Sequence, residues 1–191
     1  MKRLTGTSFT RISWRMKIFA SRSAGWVVVC AALLLTGRSQ AQMLLSVTGI
    51  SGEATNNLIA IDSMQWGLGV SIASGGGGGG VSAPSFSELT LTKRLDSASL
   101  PLLFSCADGQ QKTTAVLTLK HPVSGVAYYT ITLGKVYVTG FSQNSGGDRP
   151  TETITLHYET IKWVYQKVDS LGNPVVAAST NSWNLTTNSG S

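Results

Sequence analysis

Past the first forty residues, the side chains able to carry chemistry are few: Cys106, His121, His157 and nine scattered carboxylates. A nucleophile needs a base within hydrogen-bond reach, and any catalytic centre needs its titratable groups to converge. His121 precedes Pro122 in a turn, and His157 lies on the polar side of an alternating segment; both read as surface or rim histidines. Cys106 has no histidine placed to activate it and reads as a small buried residue. The chain contains no His-Glu-x-x-His, no paired cysteines past the leader and no Gly-x-Ser-x-Gly. A lone cysteine and two distant histidines lack metal-ligand spacing. Asn144-Ser145-Gly146-Gly147-Asp148-Arg149-Pro150 lacks the repeated acidic positions of a calcium loop and reads as a hairpin connection. The run Gly75 to Gly80 is not followed by Gly-Lys-Ser/Thr, and Val81-Ser82-Ala83-Pro84 does not open a helix, so it is no phosphate cradle. The reading is a non-enzymatic protein with no catalytic, cofactor-binding or metal residue and no cofactor.

The N-terminal region reads as a leader. Lys2, Arg3, Arg11, Arg15, Lys17 and Arg22 precede the uncharged run from Ser23 to Gly37, and Arg38-Ser39-Gln40-Ala41-Gln42 follows. Basic, apolar and small-x-small regions in that order mark a secretory signal peptide over residues 1–41, cleaved after Ala41. The apolar run is shorter than a membrane-spanning helix requires. Met16 would open a shorter version of the same leader, and Met43 would start the chain beyond it. The expected destination is secreted or extracellular, with the periplasm as transit or alternative, and no membrane partner after cleavage. Seven of the fifteen Lys and Arg lie in residues 1–41 and none of the nine Asp and Glu, leaving eight basic against nine acidic residues in 42–191. The overall charge of +6 therefore belongs to the leader, which argues against a nucleic-acid partner. Loss of Cys30 with the leader leaves Cys106 alone and no intramolecular disulfide.

Residues 42–191 read as one all-β domain. Leu89-Thr90-Leu91-Thr92 and Val116-Leu117-Thr118-Leu119 alternate or nearly so. Tyr129 to Leu133 and Val136 to Val138 do so around Gly134, predicting one long strand with a bend at the glycine. Thr153 to Tyr158 alternates with Ile154, Leu156 and Tyr158 on one face. The pattern skips one residue before Ile161, Trp163 and Tyr165, predicting a bulge near Glu159-Thr160. The single helix falls between Asp96 and Gly109, with Asp96 or Ser99 as cap, Pro101 in the first turn and Gly109 at the end. Residues 74–84 read as a Gly-rich mobile hairpin loop and 186–191 as a flexible tail. Trp66, Trp163 and Trp183, with Tyr128, Tyr129, Tyr137, Tyr158 and Tyr165, read as core and subunit-contact residues.

An ordered set of segments resembles the haemolysin-coregulated protein (Hcp) family, the tube protein of bacterial type VI secretion. Met43 to Ala54, with Gly49-Ile50-Ser51-Gly52-Glu53, is similar to the family's first strand and its Gly-Ile-x-Gly-Glu turn. Trp66-Gly67-Leu68-Gly69-Val70 resembles its Trp-Gly-x-x-Val pattern. Thr92-Lys93-Arg94-Leu95-Asp96-Ser97-Ala98-Ser99 resembles its Thr-Lys-x-x-Asp-x-Ala-Ser. Ala115 to Leu119, Pro150 to Leu156, Ile161 to Tyr165 and the closing Ser182-Trp183-Asn184-Leu185 follow in order. The resemblance implies a compact β-barrel of two packed antiparallel sheets with one short helix. It implies copies of itself as partners, in homohexameric rings stacked into a tube that a contractile sheath propels, with a spike protein at the tip and effector proteins in the lumen. It also places around Gly75 to Pro84 the long loop that reaches toward the stacked ring. The alternative is an exported ring that holds cargo, or serves as a chaperone or surface binding module, without a contractile apparatus.

Overall fold

The computed structural model describes residues 42–72 and 80–191. The expected signal peptide and the centre of the Gly-rich loop lie outside them. Twelve strands and one helix follow: β1 (Gln42–Val47), β2 (Ile59–Ile61), β3 (Ser63–Gln65), β4 (Leu68–Gly69), β5 (Ser85–Phe86), β6 (Leu89–Arg94), α1 (Ser99–Asp108), β7 (Lys112–Lys120), β8 (Ala127–Asn144), β9 (Thr151–His157), β10 (Thr160–Tyr165), β11 (Ser179–Asn184) and β12 (Ser189–Gly190). A short 3-10 turn covers Thr55–Asn57.

The alternation seen in the sequence sorts each strand into a core face and an outer face. One antiparallel sheet runs β12-β11-β10-β8-β7-β1-β2, and a second runs β3-β6-β9-β8. Inward residues of both meet in one cluster, with Leu45, Ile59, Leu89, Leu91, Ile131, Ile154 and Leu156 excluded from solvent. Each such side chain contributes about 1.5–3 kcal/mol on burial. β8 belongs to both sheets: Tyr129 to Gly134 pair with β10, and Tyr137 to Asn144 pair with β9. The expected bend lies at Gly134 and Lys135, where Lys135 takes a positive φ of 51°. A Cβ on Gly134 would collide with Thr160 Oγ1. Opposite, Tyr158 and Glu159 interrupt β9 and β10 where a bulge was expected, and Tyr158 and Ile161 are both buried.

Two expectations need correction. The barrel does not close as one continuous sheet: β2 pairs with β1 up to Ile61, and pairing resumes on β6 from Ser63, with Asp62 at the break. The domain is two packed sheets that share β8, with strand pairing passing from β1 to β6 across Asp62. The segment 186–191 is not a loose tail. Asn184 Oδ1 accepts from Thr186 N (2.9 Å) and Thr187 N (3.1 Å), turning the chain back so that β12 pairs with β11. Gly190 then lies so close to the Trp183 ring that no Cβ fits.

The helix forms where predicted, with Gly109 closing it at a φ of 64°. Its N-cap position is Ala98 and carries no side-chain cap. Asp96 instead accepts from Ala98 N (2.9 Å) one turn earlier. Leu102 packs into the core as α1 lies against β8.

Candidate assembly surfaces

The residues weighed for chemistry stay apart. Cys106 is half-buried on α1 and packs against the core. His121 sits in the turn after β7, where its Nδ1 accepts from Val123 N at 3.4 Å. His157 ends β9, with Nδ1 3.4 Å from Glu88 Oε1 and its ring near that of Tyr137. No hydrogen bond or ion pair joins any two of the three among the described residues. Among those residues no group of three or more His, Cys, Asp and Glu is arranged to hold a metal. No helix there is long and apolar enough to cross a membrane.

A charged cluster that the sequence reading passed over lies where β6 enters α1. Lys93 and Glu152 are fully buried. Lys93 Nζ donates to Glu152 Oε2 (2.7 Å), Ser99 Oγ (2.9 Å) and the Arg94 carbonyl (2.9 Å), and lies 2.8 Å from Asp96 Oδ1. Ser99 Oγ donates to Glu152 Oε2 at 2.6 Å, and Gln143 Nε2 to Glu152 Oε1 at 3.2 Å. With every partner supplied, the network ties β6, α1, β8 and β9 together instead of holding a reactive group ready. Its signal was present in the alternation: Lys93 continues the inward parity of Leu89 and Leu91, and Glu152 that of Ile154 and Leu156. Close by, Glu53 accepts from Ser97 N (3.0 Å) and pairs with Arg149 Nη2 (3.0 Å), joining the first turn to the helix entry and the β8–β9 hairpin. Gly52 is required there, since a Cβ would run into the backbone of Leu58 and Ile59.

Exposed apolar residues lie on a hairpin arm and on α1, and also at Val123, Tyr165, Leu171, Val175 and Val176 in and around the β7–β8 and β10–β11 connections. Residues 67–72 and 80–87 form the arm, in which β4 pairs with β5 and Ile72 bridges to Val81. Leu68, Val70 and Ile72 are spaced two apart, and Ile72 and Val81 remain 71% and 69% exposed. On α1, Leu100 and Phe104 are 75% and 67% exposed, with Leu103 beside them. Exposed apolar patches on an otherwise well-packed domain are candidate contact surfaces for a protein, a membrane or a ligand. A third feature is an open edge, since Ser179 to Asn181 of β11 have no strand on their outer side among the described residues.

The arm is seated on an aromatic hub. Phe86 stacks on Trp163 with ring centroids 6.3 Å apart and lies 5.9 Å from Trp183, while Trp66 lies 5.5 Å from Trp163. Trp66 Nε1 donates to the Tyr158 hydroxyl, which donates to the Ser87 carbonyl at 2.9 Å. The indole nitrogens of Trp163 and Trp183 are buried without a hydrogen-bond partner among the described residues. Trp66, Trp163 and Trp183, spread over the sequence, are thus brought together as core packing beneath the arm.

Residues 44–165 match the family model described as "Type VI secretion system effector, Hcp". Among curated proteins, Protein hcp1 of Pseudomonas aeruginosa is 32% identical over 109 residues, which cover 53% of this chain and 65% of that protein. The matched region thus spans just under two thirds of that relative's length. Among solved structures, a type six secretion system protein superposes with a TM-score of 0.73 at 25% identity, covering 80% of this chain and all of that one. Hcp1 from Salmonella typhimurium gives a TM-score of 0.64 at 23% identity, covering 78% of this chain and 98% of that one, and bears on the fold alone.

Proposed function

The chain belongs to the type VI secretion system effector Hcp family, and from that membership we propose that it is a secreted, non-enzymatic structural subunit that assembles into hexameric rings stacked as a tube. The observation that carries this reading is the arm: a hairpin built outside both sheets, anchored on a half-buried aromatic hub and carrying Leu68, Val70, Ile72 and Val81 to solvent. A monomer gains nothing by exposing these residues, whereas a neighbouring copy that covers them buries apolar surface on both sides. Cyclic symmetry lets one such patch serve every interface of a ring. The partners are copies of the chain itself, with a spike protein at the tube's tip and effector proteins in its lumen. Native mass measurement of the purified domain tests the reading; a closed ring, six subunits in number, is the expected species, and a strict monomer at high concentration rejects it.

The order of basic, apolar and small residues in 1–41 favours a second reading, in which the subunit crosses the inner membrane on its own signal and acts as a cargo-holding ring or surface binding module without a contractile apparatus. N-terminal sequencing of the protein recovered from the envelope and the medium separates the two. A mature terminus at Gln42 supports separate export, and an intact leader on secreted protein argues against it.

A further inference from the structure

We propose that the hydroxyl of Tyr158 fixes the direction in which the arm leaves the body, by bonding both of the arm's legs at once. The inference rests on the arm being an assembly surface only for its consequence, since the positioning itself is read from hydrogen bonds within one chain. The interruption between β9 and β10 shifts the strand's parity by one residue, and Tyr158 at that interruption is turned inward and 2% exposed. Its oxygen accepts from Trp66 Nε1, on the outgoing leg, and donates to the Ser87 carbonyl, on the returning leg, at 2.9 Å. A phenol has one proton to give, and here it is committed to Ser87 while a lone pair receives Trp66. The legs are also fastened to each other, because Ser87 N donates to the Gly67 carbonyl (2.9 Å) and Gly67 N to Ser87 Oγ (2.7 Å). The result is a closed circuit of Trp66, Gly67, Ser87 and Tyr158 around the base of the hairpin.

This circuit matters because β4 and β5 pair with each other and with no strand of the two main sheets among the described residues. The seating of Phe86 on Trp163 and Trp183 holds the base through contacts that have little directional preference. Hydrogen bonds do prefer a direction, and two legs bonded to one fixed oxygen cannot pivot without breaking at least one bond. The inward face of Ile154 and Leu156, continued one step past β9, thus delivers the oxygen that aims the arm, and the interruption that follows restores the apolar face for Ile161.

Tyr158→Phe removes that oxygen and keeps the ring. Hydrogen–deuterium exchange of the full chain should show amides of residues 67–72 and 80–87 exchanging at least about tenfold faster, the equivalent of losing one to two net hydrogen bonds, while β7 and β8 keep their protection. Trp66→Phe, which leaves the Ser87 bond in place, should loosen the same residues by a smaller factor. Unchanged exchange in the arm of Tyr158→Phe overturns the proposal, as does protection lost equally in β7 and β8, which would make the tyrosine a general core residue. A loosened arm in a parent protein that never forms rings supports the positioning role and rejects the assembly reading.

Discussion

At the scale of single residues, the most consequential feature is a lysine and a glutamate taken out of water together. Removing one member of a buried ion pair leaves the other uncompensated, at about 3–5 kcal/mol, whereas replacing both with apolar groups of similar size can be close to neutral. Lys93→Met should therefore lower the thermal midpoint sharply, and Lys93→Met combined with Glu152→Leu should recover much of the loss in the same melting experiment. A single variant that melts with the parent would show that the cluster does not hold α1 to β6. Tyr158 carries the alkaline counterpart. Burial raises its pKa above 10.0, aided by the Glu88 carboxylate and opposed by the Trp66 hydrogen bond. A raised acid binds its proton more tightly folded than unfolded, so its contribution is whole below pH 10 and is lost as the pH climbs through the folded value. Parent protein should lose stability above pH 10 more steeply than Tyr158→Phe in denaturant titrations at matched pH; parallel curves would contradict this.

Among the elements, the arm stands out because it is folded locally and yet, among the described residues, shares no strand pairing with the body. Val70 and Ile72 are largely exposed, so changing them should leave folding intact. Ile72→Asp and Val70→Asp are expected to unfold within about 0.5 kcal/mol of the parent while the ring population drops by tenfold or more in native mass spectra. An unchanged ring would move the assembly contact elsewhere, to the Leu100–Phe104 face of α1 or to the open edge at Ser179–Asn181. The hairpin of β8 with β9 and β10 shows how an element's irregularity is readable before the fold is known. A skipped beat in the alternation at Glu159–Thr160 and a glycine at 134 each marked a bend, and the two bends face each other. The tail was misjudged for the opposite reason. Residues 186–191 are polar and show no alternation, but the Asn184 side chain turns them back and the flat Trp183 ring accepts Gly190 at close range.

For the molecule as a whole, the near balance of eight basic and nine acidic residues in 42–191 means that many copies can pack without strong mutual repulsion. Contacts made by Leu68, Val70, Ile72 and Val81 are insensitive to screening. Assembly should thus vary less than about twofold between low and high salt, followed by sedimentation, whereas dissolution at high salt would point to ion pairs as the main contact.

Period-two patterning, the glycine at 134 and the turn residues already implied an all-β chain with one helix, because side-chain parity along a strand is a local property that burial merely ratifies. The ordered segments from Met43 to Leu185 pointed to the same family that the fold and the family match then supported. Pairings between distant residues were not legible. Lys93 meets Glu152 across 59 positions, Trp66 meets Tyr158 across 92, and the interruption at Asp62 depends on where β1 and β6 lie. Such contacts arise from the packing of two sheets, and no local pattern records which inward-facing charge or hydroxyl will find which partner.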